Sequence, residues 1–280
     1  MAAAVASKPD ILLYTNHGCP WAHRAHIALN ELGIDFKEEI IDLDRPRDPW
    51  YLEINPRGLV PSISYNGTIL TESAVVSQFL ADAHESHLLP ASTGSVDNAL
   101  FRARVAFFVD TYITKVLPHF FGSLRAQSPE DKQKAGEDLV AAVVKEVEPL
   151  FTWDASKGAF FGGHSKPTLA EVQTGPFILR LLAHAKPEYD LLSPDLLPQL
   201  QQQAPKFKAW ADAVVQLPSV TSIFDEKKVA ERTKASIWNR EITSDVDCDE
   251  ISIRILVQVK SLLFYVTFAF DLVVPLLCYF

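Results

Sequence analysis

The chain has 280 residues, a formal net charge of −9 and a pI near 5.4, an acidic balance that argues against nucleic acid as a partner. Of its three cysteines only Cys19 precedes residue 240, which excludes a disulfide framework or structural zinc in the body of the chain. The opening Met1-Ala2-Ala3-Ala4-Val5-Ala6-Ser7 lacks a basic start and a long apolar run, so no secretory signal is expected and the location is expected to be cytoplasmic.

An apolar strand is predicted at residues 11–14, and Cys19-Pro20-Trp21-Ala22 then sets a lone thiol before a helix over 20–32 that Gly33 ends. Proline suits the first helical position, where its missing N–H costs nothing, so Cys19 belongs at the N-cap or in the first turn. Unpaired backbone N–H groups and the positive end of the helix dipole favour a thiolate there. Cysteines so placed fall from a pKa of about 8.5 into the range of roughly 3.5–7.5. The alternative is a buried, inert cysteine that merely precedes a helix. A second strand over 36–43 completes a parallel βαβ unit. Residues 44–53 read as irregular, and 55–65 as a loop feeding a third strand. Asn66-Gly67 gives the type I′ turn of a hairpin into Thr68-Ile69-Leu70, and Thr71-Glu72-Ser73 leads into an apolar helix carrying Val75, Val76, Phe79 and Leu80. A βαβ unit followed by ββα is the thioredoxin-like arrangement, an α/β domain around a mixed four-stranded sheet.

Residues 88–96, polar and small with Pro90 and Gly94, read as a linker to an all-helical part over 97–237. Helices are predicted over 97–125, where Pro118 should bend or break the run, and over 130–150, 204–216 and 220–233. Thr168 and Glu171 form a capping box that starts another helix. Phe107, Phe108, Tyr112, Phe120 and Phe121 read first as core at helical spacing, and otherwise as a wall facing Cys19. His23 and His26 could share a helix face like metal ligands, but no further ligand has suitable spacing, so no metal is expected. His17, beside the thiol, could stabilise a thiolate when protonated or simply be solvated. Residues 238–250 are polar and acidic, and 251–280 are apolar. The run 261–280 holds one charge, Asp271, and is long enough to span a bilayer marginally, with Asp271 costing about 2.5–3.5 kcal/mol near its middle. Two readings of this tail stay open, a membrane anchor and translated non-coding sequence appended near Ile237; membrane contact is expected only through it, and Cys248 and Cys278 fall within it.

These residues resemble the cytosolic glutathione S-transferases, specifically the cysteine-containing omega-like class as it occurs in fungi. The resemblance spans about residues 9–236 and rests on Cys19-Pro20-Trp21-Ala22, Asn55-Pro56 with Gly58-Leu59-Val60-Pro61, Glu72-Ser73 and Thr168-Leu169-Ala170-Glu171. Each fragment is weak alone; in this order and spacing they are strong. The resemblance implies a thioredoxin-like glutathione-binding domain over 9–87, a helical domain over 97–237 and a tail, 238–280, that does not fit the family. It implies Cys19 as the catalytic thiol and glutathione as co-substrate. Pro61 matches the family's cis-proline, which would turn the backbone of Val60 toward the cysteinyl unit of glutathione. Glu72 and Ser73 match the pair holding the γ-glutamyl ammonium and carboxylate, unless Thr71 or Ser73 only caps the helix. Arg47, ahead of Arg45, would face the glycine carboxylate. The family box has Asp where this chain has Glu171, which leaves the cap chemistry intact.

The implied activity is a glutathione transferase or thiol oxidoreductase acting on small electrophiles or glutathionylated compounds, in detoxification or secondary metabolism, and the implied assembly is a homodimer. A monothiol closes no internal disulfide, so a redox cycle must pass through a mixed disulfide with an external thiol. The run from Cys19 to Arg24 is also similar to the glutathionyl-hydroquinone reductases, whose cysteine follows a longer segment than the eighteen residues here. The rival class is a non-catalytic transferase-fold module, as in a translation elongation factor, or a chloride-intracellular-channel-like protein. Cys19, Pro61, Glu72 and Ser73 together favour working glutathione chemistry.

Overall fold

A computed structural model describes residues 8–244 of the chain, with side chains through Ser236. The described residues up to Arg232 form one compact unit, and a second begins at Thr233. The candidate anchor at 261–280 and both tail cysteines lie outside the described residues. Among the described residues no helix is long and apolar enough to cross a membrane.

Strand β1 (Ile11–Thr15) pairs in parallel with β2 (Lys37–Ile40) and antiparallel with β3 (Ser62–Tyr65), which pairs antiparallel with β4 (Thr68–Thr71). The sheet order β2-β1-β3-β4 is the mixed four-stranded sheet expected of a thioredoxin-like domain. The β3–β4 turn uses positive φ at Asn66 (50°) and Gly67 (82°), the geometry of a type I′ turn. Helix α1 (Pro20–Leu32) starts with proline at its first position and ends at Gly33, whose φ of 63° meets the left-handed cap. β2 is shorter than the predicted 36–43, because the charged run Lys37-Glu38-Glu39 makes an exposed edge and the chain leaves it once Ile41 N–H bonds to Thr15 O. The stretch read as irregular contains helix α2 (Pro49–Ile54), whose signal was Asp48-Pro49 at its start. Helix α3 (Ser73–Ala83) follows β4 and packs with α1.

Helix α4 (Val96–Thr111) opens on Ser95, which accepts from Asn98 N–H. The predicted bend at Pro118 is absorbed by a widened π-turn at Tyr112–Val116, after which α5 (Leu117–Ser123) continues. Helix α6 (Pro129–Ala142) runs on through a second π-turn, Val143–Val147, to Leu150. Then come α7 (Leu169–His184), α8 (Leu196–Gln203), α9 (Pro205–Val214), α10 (Pro218–Thr221) and α11 (Glu226–Ser244). Sequence reading missed α8, although Leu196 and Leu200 are buried at helical spacing. It also merged α10 with α11, which Asp225 separates by accepting from Lys228 N–H at the new helix start.

The helices close around α7, which is buried along nearly its whole length. Its capping box is present, and Glu171 does more than cap. One carboxylate oxygen accepts from Thr168 N (2.7 Å) and Thr168 Oγ1 (2.8 Å), the other from Phe161 N (2.7 Å) and Trp210 Nε1 (2.6 Å). The carboxylate is fully buried, so each donor would be orphaned by its loss. Phe108, Phe151, Phe161 and Trp210 pack beside it, Phe108 edge to face with Phe151 and Trp210 and the other pairs tilted. Phe108, Tyr112 and Phe120 are therefore core, while Phe107 points out at 60% exposure. Replacement of Glu171 by Ala is expected to lower the unfolding free energy by at least about 3 kcal/mol, measured by denaturant titration.

Burial also keeps several histidines neutral. Desolvation pulls His26 down to about 4 against the opposing pull of Glu38, and pulls His184 down to about 4 with help from Arg180. In the unfolded chain both titrate near 6.5, so as pH falls the unfolded state gains these protons first. Their contribution to stability is therefore complete above pH 6.5 and is lost as pH falls toward 4, by about 1.4 kcal/mol per histidine per pH unit. Unfolding free energies at pH 7, 5.5 and 4.5 should fall in that order; a flat profile would mean that neither histidine is held neutral.

Candidate active site

Cys19 occupies the N-cap of α1 in extended backbone (φ −85°, ψ 120°) and offers its carbonyl to His23 N–H. Its thiol is free and partly exposed. The loop ahead of it is held from several sides. The Asn16 side chain accepts from Gly18 N at 3.0 Å and donates to Ile41 O at 2.9 Å, and Asn16 O accepts from Cys19 N. Gly18 itself leaves little room, since a Cβ there would sit 2.9 Å from Arg232 Nη1 and 3.2 Å from Asn16 Oδ1. From α7, Arg180 donates to Gly18 O at 3.1 Å and to Pro176 O at 2.9 Å. Burial pulls the Arg180 guanidinium down to about 10, with the Cys19 side chain acting in the opposite, raising direction.

Cys19 and all five residues that the resemblance assigned to glutathione, Arg47, Val60, Pro61, Glu72 and Ser73, line one cleft of about 450 Å³. Trp21, Arg24, Leu43, Asn55 and Leu59 help to complete its walls, whereas none of Phe107, Phe108, Tyr112, Phe120 and Phe121 reaches it. The Val60–Pro61 peptide bond is cis. Val60 precedes the sheet ladder, which begins at Ser62, so its backbone polar groups are not used by strand pairing. The loop carrying it is clamped from below by residues that sequence reading passed over. Tyr51 Oη donates to Leu59 O at 2.6 Å, and Asn55 Nδ2 donates to Leu59 O at 2.9 Å and Ser62 Oγ at 3.1 Å. Asn55 was visible only as part of Asn55-Pro56, and Tyr51 lay in the stretch read as irregular.

Of the two candidate arginines, Arg47 is the one that lines this cleft, its guanidinium donating to the carbonyls of Gly58, Asp42 and Arg45. Arg45 turns away to Asp42 and Asp48. Glu72 stands at the start of α3 with φ 69°, a left-handed backbone that costs a non-glycine residue of order 1 kcal/mol or more, and its carboxylate pairs with Arg57. No side chain caps α3; Ser73 is its first residue, and its hydroxyl accepts from Arg24 Nη1 at 3.2 Å. His17 faces Glu38 (2.6 Å). His23 and His26 do not form a pair of ligands, because His23 Nδ1 meets Arg180 and His26 Nε2 meets Thr15 Oγ1 at 2.8 Å. A different trio, His17, His26 and Glu38, brings one donor atom each within 4.8 Å of one another, with Glu38 supplied by β2 and invisible to chain spacing.

The arrangement can hold a short peptide against a free thiol: a cation, unpaired strand backbone, a hydroxyl and a helix start lie within one cleft. Arg180→Gln should leave Gly18 O with a weaker donor and remove the buried charge near the sulfur. Alkylation of Cys19 by iodoacetamide at pH 7 is then expected to slow by roughly three- to tenfold; an unchanged rate would show that Arg180 only staples α7 to the loop.

A family model, Glutathione S-transferase, N-terminal domain, matches residues 18–83. Glutathione S-transferase omega-1 of Mus musculus is 28% identical over 216 residues, covering 76% of this chain and 80% of that protein. Among solved structures, glutathione transferase Omega 2C from Trametes versicolor is 29% identical with a TM-score of 0.64, covering 81% of this chain and 99% of its own. Rice GST1, crystallised in complex with glutathione, shares the fold at 24% identity and a TM-score of 0.68, covering 84% and 99%.

Proposed function

This chain belongs to the glutathione S-transferase family, on its omega-like side, and from that premise we propose that it moves glutathionyl groups through the thiol of Cys19. The observation that carries the reading is the convergence of a free, partly exposed cysteine with Arg47, Val60, Glu72 and Ser73 in one cleft. Glutathione lies with its cysteinyl backbone against Val60, its γ-glutamyl end at Glu72 and Ser73, and its glycine carboxylate toward Arg47. The Cys19 thiolate attacks the glutathione sulfur of a glutathionylated small molecule. The substrate's S–S bond breaks, its thiolate departs and takes up a proton, and Cys19 holds glutathione as a mixed disulfide. A second glutathione thiolate attacks the glutathione sulfur of that disulfide, giving oxidised glutathione and returning the Cys19 thiolate. The enzyme is read as cytoplasmic and homodimeric, as the family resemblance implies.

Incubation with oxidised glutathione should add one glutathionyl group to Cys19, seen by intact-protein and peptide mass spectrometry. Cys19→Ser should abolish both the adduct and turnover of a glutathionylated model substrate while leaving the circular dichroism spectrum unchanged. Unchanged turnover in that variant would overturn the thiol mechanism, and gain of conjugating activity would point to activation of glutathione itself at this position.

A further inference from the structure

Among the described residues Arg24 is a buried cation without a counterion. It is 3% exposed, and its guanidinium sits 4.7 Å from the ring centroid of Trp21 and 5.2 Å from that of Phe177. Nε donates to Gln173 O at 2.7 Å, Nη1 donates to Ser73 Oγ at 3.2 Å, and Nη2 has no partner among the described residues. The acidic residue of the cleft, Glu72, is engaged with Arg57 instead. Desolvation is felt in the group itself, whose pKa is pulled down to about 10. A charge taken out of water without an opposite charge is a large cost, and aromatic faces with two neutral acceptors offset only part of it.

The geometry at Ser73 shows where that charge is directed. A hydroxyl has one hydrogen to give and lone pairs to receive. With a lone pair taken by Arg24, the Ser73 O–H remains to donate into the cleft that both residues line. It does so at the start of an eleven-residue helix, where unpaired backbone N–H groups favour the same kind of ligand. Arg47 is the second cation of the cleft, and its acceptors, all carbonyls, are likewise neutral. Two guanidiniums that, among the described residues, meet only neutral acceptors fit a ligand with two carboxylates.

We propose that Arg24 is a positioning residue that makes Ser73 a charge-backed donor, so that the cleft selects its ligand by a carboxylate at this end. The proposal rests on the glutathione reading, in which that group is the α-carboxylate of the γ-glutamyl unit. Arg24 acts through Ser73, from behind it, and the same contact links α1, α3 and, through Gln173, α7.

The test compares glutathione with 4-aminobutanoyl-cysteinylglycine, which keeps the amine and thiol and lacks only that carboxylate. Calorimetry on the full-length protein should show glutathione bound roughly 10- to 100-fold more tightly than the analogue. Arg24→Met, which keeps much of the packing volume, should reduce this preference to within about threefold, and Arg24→Lys should restore part of it. Ser73→Ala should also remove most of the preference, and adding Arg24→Met to it should change little, because the two act as one unit. A merely structural role for Arg24 would weaken both peptides equally and leave their ratio intact, which overturns the proposal. Retention of the full ratio in Ser73→Ala overturns it as well, and that arm stands even where Arg24→Met fails to fold. If the wild-type protein binds neither peptide, the glutathione reading itself fails; if it binds glutathione without preference over the analogue, only the role of Arg24 fails.

Discussion

Helix α1 is buried on both of its faces, between the sheet with α3 on one side and α7 on the other, and the cleft depends on that confinement. The contacts across the α1–α7 seam are unusual for a core. Arg24 reaches from α1 to Gln173 O, and Arg180 reaches from α7 to Gly18 O. Hydrogen bonds from charged donors contribute about 1.5–3 kcal/mol each, whereas desolvating a guanidinium costs several. The seam is therefore not a device for stability. It sets the register of α7 against the N-terminal end of α1, and it places positive charge beside the thiol and beside Ser73.

The opposite wall is built by neutral groups. Tyr51 and Asn55 share Leu59 O and Ser62 Oγ, so the chain on either side of Pro61 is pinned by four hydrogen bonds from buried side chains. Tyr14, Ala22, Ile41, Tyr51 and Val60 pack together beneath it, with Cys19 against the edge of the cluster. A thiol with one flank on apolar side chains and the other in an open cleft can react without giving up its packing. The strained backbone of Glu72 belongs to the same design, since a residue held at φ 69° persists only where its surroundings over-determine it.

In the helical part, Glu171 has a comparable organising place. A glutamate in a capping box needs one oxygen for the cap, which leaves the second to bind Phe161 N and Trp210 Nε1 and so to tie the helix start to the segment before it and to α9. Phe108 of α4 packs on this anchor against Phe161 and Trp210, which is why it forms core and not a wall of the cleft.

Local rules made part of this structure legible in the sequence. The order of strands and helices, the N-cap place of Cys19, the Asn66-Gly67 turn and the Thr168-Glu171 box each follow from backbone preferences within a few residues. Helix α2 and the break before α11 were legible in principle, through Asp48-Pro49 and Asp225, and short elements of this kind are easily lost beside charged runs. Nothing local tells Arg24 or Arg180 from a solvated arginine of an amphipathic helix, because their partners, Ser73, Gln173 and Gly18, lie 49 to 162 residues away. The same holds for the neutral state of His26 and for the union of His17 and Glu38 across β1 and β2. By itself the sequence determined which backbone shapes the chain adopts and which thiol heads a helix. Only the tertiary structure decided which charges are stripped of water and what they face, since desolvation is a property of the assembled layers and not of any segment.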